Sequence, residues 1–290
     1  MDYEKVETAF EVKCLLGEGP AWDDVNGVLS WVDILKGQLY LQNLKDGTCK
    51  KVITGQYIGA AVPDGRGGYI GALAGGFYRL DGTGLVDKLG APEGMSCRQR
   101  FNDAKCDPHG RLWAGTMSLY NDFDPPGLAA LYLLNRDRTA SVKVSGVTIS
   151  NGLAWSADEK TMYYIDTPAL AVSAFDFDAE TGGISNRRDV IRFDKRGGSP
   201  DGMTIDSEGM LWVAMFNGGC VCRYDPGSGK CLRKIGVPTP YVTSCCFAGD
   251  DLGTLYITTA RLERVRDRNA GNVFSCRPGV RGTRTDFYQE

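Results

Sequence analysis

Histidine is almost missing from this 290-residue chain; the single one, His109, lies in the turn Asp107-Pro108-His109-Gly110 on the way into a strand. Without a second histidine there is nothing from which to build a Ser-His-Asp triad around the axis, so hydrolytic chemistry would have to rest on carboxylates and a metal. A basic surplus is also missing. The formal charge is -3 and the pI about 5.4, and no Lys/Arg-rich tail is present, which excludes an electrostatic footprint for nucleic acid. No apolar run approaches membrane-spanning length, and the opening Met1-Asp2-Tyr3-Glu4-Lys5 lacks an apolar signal core. A soluble, cytoplasmic protein with no membrane partner is expected. The ten cysteines form no paired two-spacer metal motif and read as mostly buried thiols in a reducing compartment. Cys220 and Cys222 fall on one strand face and Cys245 and Cys246 are adjacent; both pairs read as packing.

What the chain does have is 38 Gly, 11 Phe and 13 Tyr within a 42% hydrophobic composition, the mixture of short strands and many turns. Six segments share one grammar, a turn with Asp or Gly followed by an apolar run with Leu-Trp, Leu-Tyr or a near equivalent. They begin at Gly27, Gly68, Gly110, Thr161, Gly209 and Gly253, roughly 40 to 50 residues apart, the period of four-stranded propeller blades. An all-β six-bladed β-propeller with an axial metal site is predicted, as one domain over 1–290. The strand candidate Ala9–Lys13 is expected to complete the last blade beside the final strands, removing a free edge. The polar, proline-stiffened insertion Tyr120–Gly127 reads as a binding loop. The stretch Arg261–Arg268 reads as a solvated loop of alternating charge.

Aligning the units places an oxygen-bearing side chain four residues before a large residue in four of them: Glu18 before Trp22, Asn102 before Cys106, Asn151 before Trp155, and Asp201 before Ile205. Ile58 and Thr243 occupy that position in the second and sixth units. Equivalent positions of a circular repeat face one axis, so two carboxylates and two carboxamides are expected to meet there. That donor set favours Ca²⁺, Mn²⁺ or Mg²⁺ and stays compatible with Zn²⁺ or Fe²⁺. Asn-Gly and Asp-Gly are also ordinary turn dipeptides, but Glu18 is a poor turn residue in the same register.

Gly-Glu-Gly-Pro at 17–20, Arg-Phe-Asn-Asp at 100–103 running on to Thr-Met at 116–117, Ser-Asn-Gly-Leu-Ala-Trp at 150–155 and Pro-Asp-Gly-Met at 200–203 occur in this order. With these motifs the chain resembles the senescence marker protein (regucalcin) and gluconolactonase family along nearly its whole length. The resemblance implies a propeller with one axial divalent ion, Ca²⁺ first among the candidates, and hydrolysis of a small-molecule sugar lactone. It further implies that Glu18, Asn151 and Asp201 hold the metal, that Asp201 is also the general base, and that Arg100 and Asn102 contact substrate. Tyr120 stands where animal members place a glutamate that holds sugar hydroxyls, which makes it a substrate-contact candidate that changes the substrate rather than the reaction. A phosphotriesterase-like hydrolase and a non-enzymatic calcium-binding propeller are the competing expectations. The assembly is expected to be a monomer or a weak homo-oligomer.

Overall fold

The structure, a computed structural model, describes residues 5–120, 124–262 and 267–290. Parts of two segments discussed above, 121–123 and 263–266, lie outside the described residues. Among the described residues six four-stranded antiparallel sheets form, and their innermost strands pack side by side in a closed ring. The result is an all-β, six-bladed propeller. In chain order the innermost strands are Gly17–Asp23, Ile58–Pro63, Gln99–Cys106, Ser150–Trp155, Ser199–Ile205 and Val242–Ala248, of blades one to six. The recurring Leu-Trp or Leu-Tyr runs form the second strand of each blade. In Leu112–Ser118 and Leu211–Phe216 they place Trp113 and Trp212, fully buried, against the next blade.

The core is divided rather than central. Each of six apolar clusters joins two neighbouring blades, as Phe77 with Phe101 between blades two and three and Trp113 with Trp155 between three and four. Sheets facing one another around an axis bury both faces, which explains why strands such as Ile58–Pro63 and Val242–Ala248 are buried throughout instead of alternating.

The Asp of the repeat grammar has a structural cause. Asp206 accepts the turn N–H groups of Glu208 and Met210 with one oxygen and the Trp212 indole N–H and Arg223 Nε–H with the other, at 2.7–3.0 Å. Asp107 does the same for His109, Arg111 and Trp113. One carboxylate thus closes the turn and pins the indole of the strand that follows.

Blade six is built from both ends of the described chain: strand Glu7–Phe10 pairs antiparallel with Val273–Cys276. It ends at Phe10, short of Lys13, which adopts a left-handed φ of 54° and cannot continue a strand. Phe10 stacks on Trp31 of blade one at 5.5 Å and on Tyr256 at 6.2 Å.

Candidate axial site

Every innermost strand carries a register shift at the position identified by alignment. It falls between Glu18 and Ala21, Ile58 and Ala60, Phe101 and Ala104, Asn151 and Leu153, Pro200 and Met203, and Val242 and Ser244. A bulge interrupts the alternation of side chains and re-aims the residue it carries, here towards the axis. The residue after it is glycine in blades one, two, four and five: Gly19 has a left-handed φ of 52°, and at Gly59, Gly152 and Gly202 the next blade is too close for a side chain. A Cβ at Gly59 would lie 2.5 Å from the Phe101 carbonyl carbon, and one at Gly202 would lie 2.1 Å from Ser244 Oγ.

Four of the aligned side chains meet, all buried: Glu18, Asn102, Asn151 and Asp201. Asn102 Nδ2 donates to Asn151 Oδ1 at 2.9 Å and to the Ser150 carbonyl at 2.8 Å, while its Oδ1 accepts from Arg100 Nη1 at 2.8 Å. Asn151 Nδ2 donates to Thr167 Oγ1 at 2.7 Å, and Thr167 donates on to the Pro200 carbonyl at 2.8 Å. The Glu18 and Asp201 carboxyls hydrogen-bond to each other, and the Gly19 N–H donates to Glu18 at 2.9 Å.

The electrostatics are those of a crowded acidic site. Burial comes first in holding both the Glu18 and the Asp201 carboxyl well above the ordinary range. Asp103 adds repulsion to both, and Glu18 adds its own to Asp201. Arg100, 7% exposed, is the opposing cation; burial lowers it to about 10 against the pull of Glu18, Tyr57 and Asp201, so it stays charged at neutral pH. Among the described residues no three His, Cys, Asp or Glu side chains assemble. Any ion on this axis would therefore take carboxamide oxygens beside its two carboxylates.

Tyr120 stands apart. It is half-exposed and packs under the Arg98 guanidinium, 5.0 Å from its ring centre, with Arg98 paired to Asp124 and the Tyr120 N–H bonded to Ser118 Oγ at 2.8 Å. These contacts place it on the loop that continues blade three, and none of them is to Glu18, Asn102, Asn151 or Asp201. His109 is exposed and pairs with Glu159 at 3.1 Å.

Two members of the site escaped the sequence reading. Thr167 fixes the Asn151 amide from a turn of blade four, and nothing in its local sequence marks it. Asp103 loads charge onto Glu18 and Asp201. Its signal was present: it is an acid at a position that is glycine in four of the other five blades.

The chain matches the family described as SMP-30/Gluconolactonase/LRE-like region over residues 16–261. It is 41% identical over 271 residues to a Bacillus subtilis protein named for a proposed sugar lactone lactonase activity, covering 91% of this chain and 92% of that one. It is 42% identical over 257 residues to regucalcin of Danio rerio, covering 88% and 86%. Among solved structures it superposes on a regucalcin from Agrobacterium tumefaciens, titled a calcium-binding protein, with a TM-score of 0.91 at 27% identity, covering 99% and 98%.

Proposed function

The chain belongs to the SMP-30/gluconolactonase family, and from that membership and the axial cluster we propose that it hydrolyses sugar lactones with the help of one divalent cation. The observation that carries this reading is the meeting of Glu18, Asn102, Asn151 and Asp201 beside the buried guanidinium of Arg100. The donor set fits a hard cation: two carboxyls that burial makes costly to ionise gain their counter-charge when such an ion is present, and carboxamide oxygens complete an all-oxygen shell. Glu18, Asn151 and Asp201 would hold it. The calcium-binding title of the Agrobacterium relative favours Ca²⁺. When bound, the ion would supply Lewis acidity to a lactone carbonyl.

The remaining work falls to side chains. Asp201 accepts a proton from the attacking water and returns it to the ring oxygen as the ester bond opens, which needs one carboxylate and no histidine. Arg100 presents N–H donors in a fixed fork, and its bond to Asn102 Oδ1 aims both groups at the same oxygen-rich substrate. Tyr120, with its ring under the Arg98 guanidinium on the loop that continues blade three, would set which lactone is preferred.

An acid-release assay over a panel of aldonolactones, with chelator-stripped and metal-restored protein, tests this. Turnover that disappears on stripping and returns with the ion is expected. Hydrolysis of organophosphates alone would replace the reading with a phosphotriesterase. Tight Ca²⁺ binding without any hydrolysis would replace it with a binding propeller.

A further inference from the structure

Beyond the ring of Glu18 and Asp201 the axis opens into a cavity of about 280 Å³ towards the opposite face of the propeller, where residues 283–286 cross it. Asp103 and Lys105, two residues apart on the innermost strand of blade three, both line it. Asp103 is 6% exposed, and one of its oxygens accepts the Ala104 N–H at 2.8 Å. Lys105 Nζ donates to the Met203 carbonyl at 2.7 Å. Among the described residues no ion pair joins the two, and the hydroxyls of Ser244, 4% exposed, and Thr204 make no hydrogen bond.

A carboxylate, an ammonium and two hydroxyls are therefore turned into one cavity with bonding capacity unspent. Charges withdrawn from solvent in this way are costly unless water or a ligand completes them. The volume lies at the small end of ligand pockets, too small for a nucleotide. Its walls set the Lys105 ammonium and the Arg284 guanidinium beside the carboxyls of Asp103, Asp286 and Glu159 and the hydroxyls of Ser244 and Thr204; the inner cation, Lys105, suits one carboxylate, and the many acceptors suit several hydroxyl groups.

We propose that this cavity is a second small-molecule site, for a polyhydroxylated carboxylate. Lys105 takes the carboxylate, while Asp103, Ser244 and Thr204 bond its hydroxyls. An aldonate, the product class of lactone opening, has this composition; choosing it rests on the hydrolysis reading, whereas the pattern of donors and acceptors does not. Arg284, exposed and 3.5 Å from Asp24, and Glu159, whose side chain is half-exposed, both line the cavity and mark its solvent side. The site adjoins the ring, since Asp103 lines the cavity and also acts electrostatically on Glu18 and Asp201, but it needs no metal.

Calorimetric titration of gluconate into chelator-stripped Asp201→Asn protein tests the assignment; the ring there holds no ion but keeps Arg100, so the loss on changing Lys105 is what separates the cavity from the ring. One gluconate per chain is expected, with sorbitol, which lacks the carboxylate, at least tenfold weaker. Lys105→Met should weaken gluconate at least tenfold, and Ser244→Ala, which leaves both charges in place, severalfold. Absence of gluconate binding at millimolar concentration, or equal affinity for sorbitol, overturns the site using unaltered Lys105, so a poorly folded Lys105 variant does not obscure the result. Lactone turnover of the wild-type protein is a separate readout. Turnover without gluconate binding to the stripped variant sinks this site alone, and gluconate binding without turnover sinks the hydrolysis reading alone.

Discussion

In the proposed reaction Asp201 would carry two duties, holding a cation and moving a proton, and its environment suits both. Its carboxyl shares a hydrogen bond with Glu18 and is buried, and burial with the neighbouring negative charges raises its proton affinity, the direction a general base requires. Asp201→Asn keeps an oxygen donor but no base, and lactone turnover should fall by roughly 10²- to 10⁴-fold while calorimetry still finds the ion; near-normal turnover would remove Asp201 from the base role. The same carboxyls make stability depend on pH. Their proton affinity is higher in the folded protein than in the unfolded chain, so stabilisation is present below the ordinary carboxylate range of about 4. It is lost as pH rises towards about 8, where Glu18 ionises. A bound cation removes this loss by replacing the proton. Chelator-stripped protein should therefore melt several degrees lower at pH 8 than at pH 5, and restored Ca²⁺ should raise Tm more at pH 8; a flat profile without metal would contradict the cause given for these shifts.

At the scale of the strand and its turn, two devices repeat. The bulge at the start of each innermost strand sends one side chain to the axis, and the Asp before each Leu-Trp run locks the turn to the indole. Asp206→Ala tests the second device. It would leave Arg223 with only its bond to Glu208 and strip the partner from the buried Trp212 N–H, costing about 3 kcal/mol or more in denaturant unfolding. A change below about 1 kcal/mol would show that the turn holds without it. Both devices are written in the residues: Asp-x-x-Gly-x-Leu-Trp occurs at 107–113 and 206–212. The bulge itself is not, because strict alternation would send Asn102 and Asp103 to opposite faces. Only the register shift between Phe101 and Ala104 brings both to bear on the axis.

For the whole molecule, segment 282–290 ties blades that the sheets leave independent. Gly282 N–H donates to Leu252 of blade six, Tyr288 N–H to Pro63 of blade two and Gln289 N–H to Gly110 of blade three. Tyr288 is buried, and Glu290 pairs with Arg79 at 2.6 Å and Arg138 at 3.1 Å. Deleting 283–290 should cost about 3 kcal/mol, chiefly through the Tyr288 ring, and lower Tm by roughly 5–10 °C; an unchanged melt would mean that the six inter-blade cores hold the ring by themselves. The repeats, the six-bladed architecture and the family were determined by the sequence alone, since each blade repeats a local grammar that can be read without knowing its neighbours. The same grammar aligned Glu18, Asn102, Asn151 and Asp201. Tertiary structure decided what closure of the ring controls: the hydrogen bonds that pair Asn102 with Asn151 and Glu18 with Asp201, the tether from Thr167, the charge of Asp103 and the neighbouring cavity. Contacts between residues 48 to 183 positions apart depend on the angle at which one blade meets the next, and no local pattern encodes that angle.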